Sequence, residues 1–341
     1  MSEIHTGDVL LEARDLSRSF RVRAGEGLFA PKRDAVAVDR VSVSLRAGEV
    51  LAIVGESGSG KSVLARMLAR IVAPTSGTLR LRGSEIDLNK ARTIDYAREV
   101  QLVLQDPFAA VNRVRRVRHT LERPLLLHGT AKADLTSREH EVLESVALTP
   151  PEQFLDRYPH ELSGGQLQRI NIARGLAVNP HVLLADEPIS MLDVSVRLGV
   201  LNLLRELCDN RHLAMMYITH DIASARYIAD ETAVMYAGQM VERGRGTTVI
   251  DEPVHPYTQL LVSSVPNPEK LVRRTSGTGS TAGGVGFNYE GCRFSPRCPF
   301  AMEICHTNEP PEVDIADGHV ARCWLPASDA QRSAVTLRAK A

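Results

Sequence analysis

The sequence predicts an α/β fold with a largely parallel β-sheet that is interrupted by a helical insert. Two observations support this prediction. Short apolar segments typical of strands alternate along the chain with stretches of helical spacing, and this order is typical of parallel sheets. Between about residues 109 and 176 the pattern is helical, with few strand signals. A length of 341 residues leaves room for a second, smaller domain.

Each predicted element follows from its local pattern. Residues 9–16 and 41–45 alternate or cluster apolar side chains as edge strands do. Residues 50–54 form a short buried strand, and residues 62–72 then have helical spacing. The remaining predicted elements are strands at residues 79–81, 100–104, 182–185, 214–219 and 232–236 and a helix at residues 194–207.

The composition changes after about residue 245, where we place a boundary between a domain of residues 1–245 and a second one of residues 246–341. Prolines become frequent there, and residues 276–286 consist mostly of Gly, Ser and Thr, which predicts a flexible linker. The segment 292–325 is rich in cysteine and proline. The sequence therefore predicts a small Cys-rich C-terminal domain.

Charge and composition limit the kinds of molecule that the chain is expected to bind. The formal net charge is zero, so no overall field favours nucleic acid or an anionic membrane. The first residues lack a basic region followed by an apolar one, which predicts no secretory signal. Because no apolar run approaches the roughly 18 residues of a spanning helix, we expect any role at a membrane to be peripheral.

Residues 55–62 read Gly-Glu-Ser-Gly-Ser-Gly-Lys-Ser, between a predicted strand and a predicted helix. This context is the one that a phosphate-binding P-loop requires. Its glycines let backbone N–H groups point at phosphates, Lys61 reaches the β- and γ-phosphates, and the Ser62 hydroxyl ligates Mg²⁺. The predicted nucleotide-binding residues of the loop are Gly55, Glu56, Ser57, Gly58, Ser59, Gly60, Lys61, Ser62 and Val63.

Polar side chains also follow three other predicted strands. The strand at residues 182–185 runs into Asp186 and Glu187, which predicts a carboxylate for Mg²⁺ and a general base for the attacking water. Alone, this pair would be solvated acids at a strand end, but it lies downstream of a P-loop. His220 follows another strand and is expected beside Glu187. Gln105 ends a fourth strand and is expected to contact Mg²⁺ and the water.

With Leu-Ser-Gly-Gly-Gln at residues 162–166, these motifs resemble the ATP-binding-cassette (ABC) ATPases over about residues 9–245. The resemblance implies a P-loop NTPase cassette: a mixed sheet with a RecA-like core, an antiparallel β edge and a helical subdomain at about 109–176. It also implies that two cassettes enclose two ATP molecules head to tail, so that the signature contacts ATP held by the partner. The residues implied to bind a partner's ATP are Ser163, Gly164, Gly165 and Gln166. The resemblance also implies that Asp193 in the D-loop binds nucleotide and that Phe20 stacks on the adenine, although a core role for Phe20 is an alternative.

A narrower resemblance is to the ATPases of oligopeptide/dipeptide importers. It lies in the P-loop, in Gln-Asp-Pro at 105–107 and above all in His-Pro-Tyr-Thr at 255–258, and residues 27–39 resemble the second of the two ATPases of such systems. The resemblance implies a second ABC ATPase, a paralogue rather than a copy of this chain, two membrane permeases and an extracytoplasmic substrate-binding protein. It further implies peripheral binding at the cytoplasmic face of the membrane.

The chain departs from that pattern after Gln105. Arg113 stands where the family commonly has proline, and a basic run continues through Arg115, Arg116 and Arg118. The run is either a solvated face or a contact with a permease or with lipid headgroups.

Four cysteines, Cys292, Cys298, Cys305 and Cys323, have the spacing C-x5-C-x6-C-x17-C. Four thiolates suit tetrahedral zinc or an iron–sulfur cluster, and the spacing lacks the short pairs common in structural zinc sites. The family resemblance favours a [4Fe–4S] cluster over zinc, and a tail that only packs is a third alternative. We expect Cys208 in the core, and His306 and His319 at the surface.

The motifs favour an ATP-hydrolysing subunit that energises a peptide importer. Another cargo, such as nickel, is an alternative, since this chain would not touch the cargo. A soluble ABC ATPase that acts in assembly or repair is a second alternative, against which the segment after residue 245 argues. A module that binds ATP without hydrolysis is a third, against which Glu187 and His220 argue.

Overall fold

Two β-sheets form the framework of the protein in a computed structural model that describes residues 4–23, 32–264, 289–316 and 318–327. The predicted linker at 276–286 and residues 27–31 lie outside these ranges. The strands of the described chain are β1 (Val9–Arg23), β2 (Lys32–Arg46), β3 (Val50–Val54), β4 (Ser76–Leu81), β5 (Ser84–Glu85), β6 (Val100–Val103), β7 (Val182–Asp186), β8 (Ala214–Thr219), β9 (Glu231–Tyr236), β10 (Gln239–Arg245), β11 (Glu312–Ala316) and β12 (His319–Arg322).

The helices cover both faces of the larger sheet and form the insert. They are α1 (Lys61–Leu68), α2 (Ile94–Glu99), α3 (Pro107–Ala110), α4 (Val117–Leu127), α5 (Leu135–Ser145), α6 (Glu152–Leu155), α7 (Gly164–Leu176), α8 (Val194–Arg211), α9 (Ile222–Ile228), α10 (Thr248–Asp251), α11 (Pro256–Ser263) and α12 (Glu303–Thr307). Among the helices in the described ranges, none is both long and apolar enough to cross a lipid bilayer.

The larger sheet has the strand order β11-β12-β10-β9-β3-β8-β7-β6. Its five strands from β9 to β6 run parallel, so their carboxyl ends meet at one edge. Strands β3, β7 and β8 are buried along their whole length, which explains why they are continuous apolar runs in the sequence. These three strands lie where the sequence predicted them, and the mixed α/β architecture is confirmed.

The smaller sheet is antiparallel, in the order β2-β1-β4-β5. Strands β1 and β2 extend well beyond the predicted segments because they pair as a long ribbon that reaches Arg23 and Lys32. The predicted helix at 62–72 is shorter than expected and ends at Leu68. Arg70 has a φ of 55°, a left-handed conformation that an α-helix cannot continue through.

The helical insert consists of α3 to α7 and confirms the helical pattern of residues 109–176. Its helices meet through fully buried apolar side chains, among them Leu121, Leu143, Leu155 and Ile170. The same core cluster includes Leu183 and Ala185 of β7, so the insert packs directly against the strand that carries the acidic residues. Cys208 is buried in this core, as the sequence predicted.

The Cys-rich segment adds to the larger sheet. Strands β11 and β12 form a hairpin, and β12 pairs with β10, where Glu242 faces Ala321. His319 is only 3% exposed, and its Nε2 lies 2.7 Å from Oε1 of Glu242. The expectation that His319 lies at the surface is therefore wrong, because the hairpin carries it against β10. His306 is exposed, as expected.

Candidate nucleotide site

The P-loop bridges the end of β3 and the start of α1, and two of its glycines lie against neighbouring backbone. A Cβ atom on Gly55 would lie 2.2 Å from the carbonyl oxygen of Met235, and one on Gly60 would lie 2.2 Å from that of Ala37. Gly60 also has a φ of 107°, which favours glycine. The backbone of the loop thus runs against β2 and β9, and side chains at these positions would displace it.

Lys61 folds back into the P-loop. Its Nζ donates hydrogen bonds to the carbonyl oxygens of Gly55 and Glu56 at 2.7 and 2.8 Å, and lies 3.3 Å from Oγ of Ser59. Burial lowers the pKa of Lys61. A buried ammonium group held inside a glycine-rich loop is arranged to meet an anionic ligand, which would replace part of the lost hydration.

Ser62 and Asp186 meet at the carboxyl edge of the sheet. The Ser62 hydroxyl donates to Oδ1 of Asp186 at 2.9 Å. Burial raises the pKa of Asp186, while the hydrogen bond from Ser62 opposes this shift. A hydroxyl and a carboxylate at one point beside the P-loop are hard oxygen ligands of the kind that Mg²⁺ prefers, so the residues present fit this ion.

Glu187 lies between two of the predicted partners. Gln105 donates from Nε2 to Oε2 of Glu187 at 2.9 Å, and Nδ1 of His220 lies 3.1 Å from the other carboxylate oxygen. The three residues follow β6, β7 and β8, which are neighbours in the sheet. Glu187 has a φ of 46°, an uncommon conformation for a non-glycine residue, and its backbone N–H donates to Ile218. The structure thus brings together the residues predicted for water activation.

The signature turn begins α7. Ser163 precedes the first helical residue and forms a capping box with Gln166, in which each side chain accepts a hydrogen bond from the other's backbone N–H. A Cβ atom on Gly165 would lie 2.5 Å from Cγ1 of Val196, so a side chain at this position would displace Val196 of α8. A Cβ atom on Gly164 would be 3.9 Å from its nearest neighbour. The contact of this turn with a partner's ATP stays a prediction.

Three further predicted residues make contacts outside this group of side chains. Phe20 is half-buried in β1 opposite Ala35, and the guanidinium carbon of Arg18 lies 4.7 Å from its ring centroid. Asp193 precedes α8, and its carbonyl oxygen accepts from the N–H of Val196. Val63 packs against the core beneath the smaller sheet. Their roles with nucleotide stay predictions.

The four clustered cysteines line one small cavity, together with Phe294 and Trp324. Burial raises the pKa of Cys292 and of Cys323 to about 11, while backbone N–H groups, those of Phe294 and Leu325 among them, oppose the shift. Within the described ranges, no group of three or more His, Cys, Asp or Glu side chains is arranged to hold a metal ion. The sulfurs therefore surround one space without forming a compact single-ion site.

Sequence reasoning missed two residues of this site. The phenolic oxygen of Tyr257 accepts the backbone N–H of Glu56 at 2.8 Å. Arg297 donates to both carboxylate oxygens of Glu56, each at 2.9 Å. Tyr257 lies in the His-Pro-Tyr-Thr motif, which signalled the family but not this contact. Nothing in the local pattern around Arg297 distinguishes it from a surface arginine.

Comparison with known proteins identifies the family. The family model "ABC transporter" matches residues 38–190, and the model "Oligopeptide/dipeptide transporter, C-terminal region" matches residues 241–305. The chain is 40% identical to the dipeptide transport ATP-binding protein DppF of Haemophilus influenzae over 329 residues, or 95% of this chain and 98% of that one. The chain belongs to the ATP-binding subunits of the ABC transporters. As an ABC ATPase, it binds ATP with Mg²⁺ and hydrolyses it.

One further relative and two solved structures are also similar to this chain. This ABC ATPase is 40% identical to the oligopeptide transport ATP-binding protein AppF of Bacillus subtilis, over 93% of this chain and 98% of that one. It resembles the dimeric structure of MJ0796, a bacterial ABC transporter cassette, with a TM-score of 0.59 and 25% identity, covering 69% of this chain and 98% of that one. It also resembles cbiO1 of Clostridium perfringens, with a TM-score of 0.60 and 25% identity, over 72% of this chain and 92% of that one.

Proposed function

We propose that this ABC ATPase energises the import of dipeptides or oligopeptides through membrane permeases. The observation that carries the proposal is the combination of a complete set of hydrolytic side chains around Glu187 with the C-terminal region matched at residues 241–305. The relatives named above are described as dipeptide and oligopeptide transport proteins. Nickel and other cargoes are alternatives, because this subunit does not touch the cargo.

In the proposed hydrolysis, Glu187 is the general base for water that attacks the γ-phosphate. Gln105 and His220 hold its two carboxylate oxygens at 2.9 and 3.1 Å and so fix its orientation. Mg²⁺, when bound, neutralises charge on the β- and γ-phosphates, and Ser62 and Asp186 would hold it. Lys61 adds a buried positive charge at the same phosphates.

A second cassette completes the site in this proposal. The signature residues Ser163 to Gln166 begin the 13-residue helix α7, whose N-terminal dipole and N–H groups favour an anion. ATP held by a partner cassette is that anion, and the partner is a paralogue rather than a copy of this chain. Because the signature contacts only the ATP of the partner, it can lie on a different turn from the P-loop of the same chain.

A role in peptide import implies further protein partners and a location at the membrane. Two permeases span the membrane, an extracytoplasmic binding protein delivers the peptide, and this subunit binds peripherally at the cytoplasmic face. The basic run from Arg113 to Arg118 lies in the helical insert, where Arg118 pairs with the buried Glu139 at 2.6 Å. The exposed Arg116 lies 3.3 Å from the exposed Asp156, so these two arginines have acidic neighbours within the insert.

The Cys-rich segment holds a [4Fe–4S] cluster in this proposal. Four thiols around one cavity, each of which accepts a backbone N–H hydrogen bond of the kind that stabilises thiolates, suit a cluster better than one zinc ion. When bound, the cluster supplies a covalent cross-link among Cys292, Cys298, Cys305 and Cys323. Iron and acid-labile sulfide, measured in anaerobically purified protein, should be lost in Cys323→Ser but kept in Cys208→Ser. Zinc without iron would contradict the cluster.

Purification of the tagged chain from detergent-solubilised membranes of its own host tests the transporter proposal. We expect two multi-span permeases and a second ABC ATPase to co-purify. A co-purifying binding protein identifies the cargo through the ligand that it carries. If only soluble proteins or no proteins co-purify, the importer proposal is wrong and a soluble ABC ATPase in assembly or repair replaces it.

A further inference from the structure

The second residue of the P-loop, Glu56, is tied to the segment that follows the cassette. Its backbone N–H donates to the phenolic oxygen of Tyr257 at 2.8 Å. Its two carboxylate oxygens accept from the two terminal nitrogens of Arg297, each at 2.9 Å. Its carbonyl oxygen accepts from Nζ of Lys61 at 2.8 Å. Two of these three attachments come from residues more than 200 positions away in the chain.

Tyr257 is itself rigidly held. It is the second residue of α11, and Nδ1 of His255, which caps this helix, accepts its backbone N–H at 3.0 Å. The N–H of His255 donates to Oε2 of Glu242 on β10 at 2.8 Å. The Tyr257 ring is fully buried, with its centroid 4.5 Å from that of Tyr236 at the end of β9. Burial raises the pKa of Tyr257, so its hydroxyl stays protonated at neutral pH.

Arg297 ends the short helical turn between Cys292 and Cys298. Its guanidinium carbon lies 5.7 Å from the ring centroid of Tyr236 and 5.6 Å from that of Phe294, so the group stacks on aromatic faces while it pairs with Glu56. A stacked, bidentate guanidinium loses little further freedom when it forms hydrogen bonds, and it offers both nitrogens in one plane. The pair is thus a geometrically fixed contact.

The position of Glu56 makes its charge relevant to nucleotide binding. A carboxylate in a loop that receives a triphosphate repels the ligand, and the repulsion acts over several ångströms in a partly buried site. Arg297 cancels this charge, while Tyr257 fixes the backbone where the loop leaves β3. Neither residue touches Glu187, so both act on the binding of ATP rather than on the attack of water.

We propose that Tyr257 and Arg297 are positioning residues of the P-loop, through which the C-terminal segment sets the affinity for ATP. This inference rests on the proposed ATPase function and extends it to a role for the segment after the cassette. It accounts for the tyrosine of the His-Pro-Tyr-Thr motif, which the sequence left without a chemical task. It also makes the segment with the four cysteines part of the nucleotide site, because Arg297 lies between two of them.

The test is a titration of the full-length chain with a fluorescent ATP analogue, combined with measurement of kcat and KM for ATP. We expect Arg297→Met to weaken binding about fivefold, equivalent to about 1 kcal/mol, and to raise KM with little change in kcat. Adding Glu56→Gln to Arg297→Met should restore binding to within about twofold of wild type, because the uncompensated charge is gone. Tyr257→Phe should weaken binding about threefold, since the Glu56 N–H loses its acceptor.

Arg322→Met is the matched control. Arg322 lies in the same segment and pairs with Glu309 and Glu312 rather than with a residue of the P-loop. If Arg322→Met weakens binding as much as Arg297→Met, or if the double variant shows no recovery, the contacts serve only the folding of the segment and the inference is overturned. Wild-type protein that binds no ATP would instead overturn the proposed function itself.

Discussion

Replacing Glu187 by glutamine separates ATP binding from hydrolysis. The side chain is about 15% exposed and is held at both oxygens, by Gln105 at 2.9 Å and by His220 at 3.1 Å. Glutamine has nearly the same shape and can still accept from Gln105, so the site should keep its geometry while losing its base. Removing a general base lowers rates by about 10² to 10⁴-fold, equivalent to about 3 to 5 kcal/mol in the barrier.

Phosphate release at saturating ATP measures this effect, and equilibrium nucleotide binding is measured on the same samples. We expect turnover of Glu187→Gln to fall at least a hundredfold and the dissociation constant for ATP to stay within about threefold of wild type. Glu206→Gln, an exposed glutamate on α8, is the control that should change neither quantity. Turnover of Glu187→Gln close to that of wild type would refute the assignment of the base.

Three other variants test single features of the structure. Gly55→Ala puts a Cβ atom 2.2 Å from the Met235 carbonyl oxygen, so nucleotide titration should show binding at least tenfold weaker. Gly58→Ala meets open space and is strained only by its φ of 80°, so it should bind better than Gly55→Ala. Burial raises the pKa of Glu139 from 4.5 to about 7 although Arg118 opposes the shift, so below about pH 7 the folded state favours a neutral carboxyl that still accepts the hydrogen bond of Arg118. The stability that this carboxyl contributes is full below pH 4.5 and is lost as the pH rises through about 7. Urea unfolding should show that the free energy of unfolding falls by about 2 kcal/mol between pH 5 and 8, and this fall should be absent in Glu139→Gln. His255→Ala removes the cap of α11 and a buried ring, and should lower the free energy of unfolding by about 2 kcal/mol at pH 8. Burial lowers the pKa of His255 to about 3, so at pH 6 only the unfolded chain gains a proton there, and the loss should be about 1 kcal/mol smaller at pH 6 than at pH 8.

Local pattern was enough to predict the central part of the fold. The strands β3, β7 and β8 are buried on both faces, so each is an uninterrupted apolar run whose end is marked by a glycine, a carboxylate or a histidine. Because parallel strands end at one edge, their polar neighbours had to converge there. The meeting of Gln105, Glu187 and His220 follows from that rule and could be expected from the sequence.

The C-terminal segment could not be predicted in the same way. The pairing of β12 with β10 and the contact of Arg297 with Glu56 join residues that are far apart in the chain, and no period or motif encodes such a pairing. Strand β10 contains Glu242 and other polar residues, a pattern typical of a surface strand. In the structure the hairpin of β11 and β12 pairs with this strand, and Glu242 is buried. The expectation of a surface position for His319 failed because the strand pairing that buries it is also long-range.

Peptide uptake by cells tests the central claim most directly. A host strain that lacks this chain receives the wild-type gene, the Glu187→Gln variant or the Glu206→Gln control, and accumulation of radiolabelled dipeptides and oligopeptides is measured. Uptake should be lost without the chain, return with wild type and the control, and stay absent with Glu187→Gln. Undiminished peptide uptake in the strain without the chain, with no other transporter able to supply it, would contradict the claim.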